Sequence, residues 1–262
     1  MKRFLQLFGS YLRINVMNEA QYRVNFFVQL FQSLLAITTG LIGLALVFTY
    51  TDTLEGWNQS ELLAVMGVYV LVGGLIQTFI QPNMERLMDD VRNGSLDYVL
   101  TKPADAQLLV SVREIRLWQL VDVIVGLVVL VVAVVQLRAG IGWQEALAFG
   151  AAVLLGGLMI YALWLIVSTT SFWFIRVDRI LELLQSLYQA GRWPVGVYPP
   201  WLRLGLTFLV PVAFAVTVPA EALTGRLTPW TLLGALALAS GLLVVSRLVW
   251  RWGLRSYTGA SA

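Results

Sequence analysis

Three carboxylates stand where chemistry inside apolar sequence is conceivable. Asp178 and Glu182 are four residues apart, a spacing that places both on one face of a helix. A catalytic pair would need them close together and unpaired. Arg176 and Arg179 stand beside them, so an internal ion cluster is the preferred reading. Asp122 is the one charge in the run Leu117 to Leu137, one turn from its start. It can pair with a cation, line a pathway or sit in a headgroup layer, and an intramembrane carboxylate is a functional hypothesis by default. Other chemistry is excluded by composition. The chain has no histidine and no cysteine, which removes Cys/His zinc sites, thiol nucleophiles, disulfides and any histidine-based triad, and no metal site is expected. No G-x-x-x-x-G-K-[ST] loop occurs, so no nucleotide site is expected in this chain.

The elements around these residues are those of a membrane protein. Of the 262 residues, 58% are apolar and 13% are charged, and the mean hydropathy is +0.76. Soluble domains run at about 45–50% apolar and about 25% charged. A spanning helix needs about 20 mostly apolar residues. Such runs lie at Val24 to Tyr50, Leu62 to Met84, Leu117 to Leu137, Ala146 to Ile175 and Leu227 to Ser246. A further span falls either at Phe172 to Trp193, which is charged, or at Leu204 to Ala220, which contains Pro211 and Pro219.

Basic residues set the orientation. They cluster before the first run, in the loop 85–116 and in the tail at Arg247, Arg251 and Arg255, and are absent from the loop 51–61. The positive-inside rule then puts both termini and the loop 82–116 in the cytoplasm, with an even number of crossings, six, and Gly56 outside. The expected fold is all-α: a polytopic membrane protein with six transmembrane helices, an N-terminal amphipathic interfacial helix and a cytoplasmic coupling elbow. It is read as one domain over 1–262. Residues 1–23 form the interfacial helix, 24–81 spans 1–2, 82–116 the elbow and 117–193 spans 3–5. Residues 194–226 form a re-entrant or external segment, 227–249 span 6 and 250–262 the tail.

Phe4, Leu7, Phe8, Tyr11 and Leu12 fall on one helical face among basic residues, which suits a helix lying in the interface. The alternative is a simple extension of the first span. In the elbow, Met84, Leu87, Met88 and Val91 have helical spacing, Asn93-Gly94 stops that helix, and Lys102-Pro103 closes the short segment that follows. Exposed apolar and acidic groups there fit either a docking surface or an ordinary connection. Small residues repeat every four positions at Ala148/Ala152/Gly156, Ala235/Ala239 and Ala237/Gly241, a pattern for close helix packing within the chain. Seven tryptophans, including Trp57, Trp143, Trp230 and Trp250, flank the runs as an interfacial belt.

Three features together resemble an ABC-2 type permease, the membrane subunit of a bacterial ATP-binding-cassette exporter. The first is the elbow Gly94-Ser95-Leu96-Asp97-Tyr98-Val99-Leu100-Thr101-Lys102-Pro103. The second is six spans behind a basic amphipathic N-terminus. The third is the proline-rich stretch Gly191-Arg192-Trp193-Pro194, Tyr198-Pro199-Pro200-Trp201-Leu202, Leu209-Val210-Pro211 and Gly225. The Lys-Pro ending and Tyr-Pro-Pro-Trp are most similar to a bacterial subgroup of simple permeases. The charged stretch Phe172 to Trp193 departs from the pattern.

The resemblance implies a transport subunit in the cell membrane that binds no cofactor itself. A separate cytoplasmic ATPase subunit would use the ATP and dock on Gly94, Leu96, Asp97, Tyr98, Leu100, Lys102 and Pro103. It also implies a second permease chain, identical or related, and a re-entrant external segment carrying Pro194, Tyr198, Pro199, Trp201 and Pro211. Membrane lipids are expected partners and nucleic acid is not. Asp122, Asp178 and Glu182 are the intramembrane polar candidates. The competing functions are an ATPase-independent secondary transporter, a non-transporting scaffold and an intramembrane enzyme. The first lacks a visible internal repeat, and the enzyme lacks a catalytic pair.

Overall fold

The computed structural model describes residues 9, 11, 13, 17, 23–137, 142–174 and 177–257; the side chains of Arg23 and Asp178 are not described. The interfacial helix expected over 1–23 lies almost wholly outside the described residues, as does the end of the tail.

The described residues form helices and no strands. Helix α1 is Arg23–Phe48. Helix α2, Gln59–Leu75, passes through a π-helical turn, Ile76–Ile80, into α3, Gln81–Arg92, so that Gln59–Arg92 is one 34-residue rod. At about 1.5 Å per residue it reaches ~50 Å, well beyond a ~30 Å hydrocarbon core. The elbow is therefore not a loop hung below a second span, because its first third prolongs that span. The rod starts at a capping box: Asn58 accepts from the Glu61 amide at 2.9 Å, and the Glu61 carboxylate accepts from the Asn58 amide at 2.8 Å. It ends where Gly94 takes a φ of 69°, which costs glycine nothing.

Two short helices, α4 (Asp97–Leu100) and α5 (Ala106–Val110), complete the elbow. After a 3₁₀ turn at Leu117–Gln119 come α6, Leu120–Leu137, and α7, Trp143–Thr169, the latter tightening into Thr170–Phe172. Helix α8 is Asp178–Tyr188, continued by a 3₁₀ turn at Gln189–Arg192. Helix α9, Pro200–Leu204, runs into a π turn at Gly205–Leu209. A π turn at Ala213–Thr217 runs into α10, Val218–Leu223, and α11 is Pro229–Ser256.

Five of these rods are long and apolar enough to cross a membrane: α1, α2–α3, α6, α7 and α11. A sixth crossing is available if the bent pair Pro200–Leu209 and Ala213–Leu223 counts as one span. The two parts meet at 76°, where Val210 is forced into an extended conformation by Pro211. Neither sequence alternative for the fifth span is a continuous helix. Within 172–193 the chain breaks around Trp173, and the eleven residues of α8 reach only about 17 Å. Leu181 and Leu184 of α8 are buried while Ile180, Glu182 and Leu183 face outward. Even so, the backbone travels the length of the bundle here. Phe172 packs on Trp250 and Tyr257 at the elbow end, whereas Arg226 bonds Glu61 at the other.

The core forms where backbones come close. The most extensive helix pair is α2 on α6. A Cβ on Gly126 would lie 2.5 Å from the Leu71 amide nitrogen, and one on Gly74 would lie 2.7 Å from that of Val123. Glycine at these positions is what allows the contact. Helix α7 approaches the chain at 214–215 in the same way, with the Gly156 position 2.6 Å from Ala215 Cα. Ala235 and Ala239 are buried around Met159. Ala237 and Gly241 are exposed, and the Gly241 Cβ position meets nothing within 4 Å among the described residues. Trp57 and Trp250, expected in an interfacial belt, are buried core residues, while Trp143, Trp201, Trp230 and Trp252 are exposed.

Candidate functional site

The polar groups of the helical rods converge on a cleft of about 320 Å³ between α1, α2, α6, α7 and α8. Its walls carry Gln77 from the π-helical stretch, Gln81 from the start of α3, and Gln185, Gln189 and Arg192 from α8 and its 3₁₀ end. Asp122 enters from α6 and is held by α1: Gln29 donates to it at 3.1 Å, and the Ser33 hydroxyl donates to its other oxygen. A π bulge shifts side-chain register by one residue and is a common device at functional sites. Two turns before it on the same rod is Tyr69, whose ring stacks on that of Tyr188 at 5.1 Å; the Tyr188 hydroxyl donates to the Tyr69 carbonyl at 2.9 Å. The guanidinium of Arg192 stands 5.6 Å from the centre of the Tyr69 ring and pairs with no carboxylate among the described residues.

One end of the bundle is a second polar construction, built on the elbow. Asn83 is buried in α3. Its side-chain oxygen accepts from the amides of Arg113 and Glu114 at 2.8 and 2.9 Å, and its amide donates to the carbonyls of Phe79 and Glu114, both at 2.7 Å. Three of these four bonds fasten the returning segment of the elbow to the rod. Asp90, also buried, pairs with Arg113 and accepts from the Ser95 hydroxyl at 2.7 Å. Arg116 bonds Glu85 at 2.6 Å. Asp105 caps α5 and is gripped by Arg247 of α11, which also donates to Gln107 at 2.8 Å. The Arg247 hydrogen bond holds the Asp105 carboxyl below the usual carboxylate range. Lys102 donates to the Tyr11 hydroxyl. The Tyr257 phenol is pushed up by burial and by the neighbouring Asp97 and Asp90 carboxylates. The two ends of the described chain therefore meet at the elbow.

A rigid rod joins a polar cleft to a braced elbow. The sequence signature of the ABC-2 family transporter proteins matches residues 34–261. The chain belongs to that family. It is a membrane permease of an ABC transporter, multi-pass and all-helical. Neither the curated proteins nor the solved structures contain a match to it.

Within the permease, the sequence candidates divide. Tyr98 is 77% exposed and Leu100 is 39% exposed on α4, and Pro103 is exposed beside them. Gly94, Asp97 and Lys102 are half-buried. Leu96, expected at the surface, is instead fully buried in the core, because the Gly94 turn folds it back under α3, where its amide donates to the Asp90 carbonyl at 3.2 Å. Leu108, 50% exposed on α5, joins the apolar face that sequence assigned to α4 alone.

In the proline-rich stretch, Trp201 is exposed and Pro194 is buried. Tyr198 donates to the Ala190 carbonyl at 2.8 Å, Pro199 precedes α9 and Pro211 makes the bend. Glu182 forms no ion pair among the described residues; the expected cluster also includes the Asp178 side chain and Arg176, which lie outside the described set. Asp122 lines the cleft and is held there by Gln29 and Ser33. The cleft glutamines were missed. Their signal was available as Gln77/Gln81 and Gln185/Gln189, two i,i+4 pairs of uncharged polar residues at the edges of apolar runs.

Proposed function

We propose that the permease is the membrane half of an exporter in the cell membrane, driven by a separate cytoplasmic ATPase that docks on the elbow and uses the ATP. Tyr98, Leu100 and Leu108 supply the apolar contact, with Asp97, Lys102 and Pro103 at its rim. Both termini are cytoplasmic, a second permease chain completes the pathway, and 194–226 covers its outer end. The observation that carries this reading is the unbroken rod Gln59–Arg92. It holds Gln77 and Gln81 in the cleft and ends in the elbow that presents Tyr98. A displacement of α4 by the ATPase has few soft joints through which to dissipate. Asn83, Asp90 and Arg116 brace the elbow to the rod, and the Asp105–Arg247 clasp carries it on to α11.

The test is co-purification with the cognate ABC ATPase subunit. The double substitution Tyr98→Asp and Leu100→Asp is expected to abolish the complex while the permease inserts and melts as the wild type does. Leu96→Asp is expected to unfold the elbow instead. A complex of normal stoichiometry with the exposed pair replaced would refute docking at this face.

A further inference from the structure

The polar cleft is not closed on all sides. It adjoins an apolar groove of about 220 Å³ between α1 and α2, floored by Gly40, Gly43, Leu44 and Met66. Tyr69 and Arg192 line both spaces, whereas Asp122 lines only the polar one. Along the joined cavity the order is therefore hydrocarbon wall, guanidinium, carboxylate. The two charges do not satisfy each other. Arg192 has only the Tyr69 ring among the described residues, and Asp122 is held by the neutral Gln29 and Ser33. The cation and the anion thus line one cleft, each free to meet a complementary charge on a bound molecule.

We infer that this joined cavity binds a zwitterionic amphiphile whose parts follow the order tail, phosphate, ammonium. The tail lies in the α1–α2 groove, which two glycines keep open. The phosphate meets Arg192, whose planar fork suits an oxyanion and which sits where the groove opens into the cleft. The ammonium meets the Asp122 carboxylate, a pairing of opposite charges. Gln185 and Gln189 offer donors and acceptors to the polar linker between them. A single anion would leave Asp122 unanswered, a single cation would leave Arg192 so, and a neutral sugar would leave both. This extends the transport reading to a class of ligand, but it requires no ATPase, so the docking proposal and this one can fail separately.

The full chain, purified in a neutral maltoside detergent, is titrated with four probes of equal chain length and read by native mass spectrometry. The probes are dodecylphosphocholine, dodecyl phosphate, dodecyltrimethylammonium and dodecyl maltoside. The phosphocholine is expected to bind about tenfold tighter than either singly charged probe, the increment of one charge-assisted contact, and the maltoside weakest of all. Arg192→Gln should weaken both phosphate probes about tenfold and leave the ammonium probe unchanged. Asp122→Asn should bring the phosphocholine down to the level of dodecyl phosphate. Gly43→Leu, which has open space before it, should fill the groove and weaken all four. The wild-type ranking alone suffices should a variant fail to fold. Equal affinities for the four head groups would overturn the proposal, as would an unchanged ranking in a folded Arg192→Gln protein.

Discussion

Arg226 closes on Glu61 across 165 positions of chain, with Nε and one terminal nitrogen 3.0 and 2.8 Å from the two carboxylate oxygens. The same guanidinium bonds the Gly56 carbonyl at 2.6 Å and lies over the Trp57 ring at 4.7 Å. Glu61 is also the acid of the capping box that starts α2. One carboxylate thus begins the central rod and ties the turn before α11 to the loop 51–58, at the end of the bundle away from the elbow.

Removing Arg226 leaves a buried carboxylate with only the Asn58 amide. Arg226→Ala should cost about 2 kcal/mol, less than the ~3–5 of a fully buried pair because the guanidinium is partly open to solvent. Glu61→Gln keeps part of the cap and should cost less. In a double-mutant cycle the two losses should fall short of additive by about 1 kcal/mol. Thermal unfolding of the four proteins in one detergent measures this, and strict additivity would show that the two side chains do not cooperate.

The α2–α6 contact makes a sharper prediction. A methyl at Gly126 meets the backbone of Leu71, which cannot rotate away. Gly126→Ala should therefore destabilise by about 1–3 kcal/mol, the usual range for overpacking. Gly241→Ala, with nothing near its Cβ, should be neutral or stabilise by up to ~1 kcal/mol through helix propensity. Melting temperatures moving in the same direction for both would contradict the packing described.

The clasp between α5 and α11 is pH-sensitive in a definite direction. The Asp105 carboxyl sits below its ordinary value of 3.8 because Arg247 donates to its ionised form. A depressed carboxylate stabilises the fold fully above its unfolded pKa and loses that contribution as pH falls through the folded one. Both side chains are about a third exposed, so the effect is under about 1 kcal/mol. Wild type should melt above Asp105→Asn at neutral pH, and the gap should narrow below pH 3.8. A gap that stays constant down to pH 2 would show that the ionisation of Asp105 does not contribute.

What the sequence made legible follows from what each signal measures. Hydropathy over about 20 residues found the long rods because crossing hydrocarbon requires that composition of them. Gly94 and Pro211 were legible because each acts on its own backbone. Long-range pairings were not. Arg226 and Glu61 are each unremarkable in sequence, and Gly74, Gly126 and Leu71 reveal their role only when two helices are laid together. Leu96 was misplaced for a related reason: a four-residue helix has too little periodicity to say which side faces the core. The stretch 172–223 defeated span counting because a broken chain can travel the length of a bundle without any one segment reaching the length a span requires.

That stretch supplies the last prediction. On the proposed topology Pro194 to Arg226 faces outside. The turn 224–226 shares one end of the bundle with Glu61, and the loop 51–61 contains no arginine or lysine. Gly196 sits between Pro194 and Tyr198 with open space around its Cβ position, and the chain has no other cysteine, so Gly196→Cys is a silent and unique label. A membrane-impermeant maleimide should modify it in intact cells as completely as after permeabilisation. The neighbouring contacts, Tyr198 to the Ala190 carbonyl and the Val195 amide to the Thr217 hydroxyl at 3.3 Å, do not involve the Gly196 side and should survive the change. Modification only after permeabilisation would turn the segment to the cytoplasm and leave Pro200–Leu209 and Ala213–Leu223 as one kinked crossing beyond it.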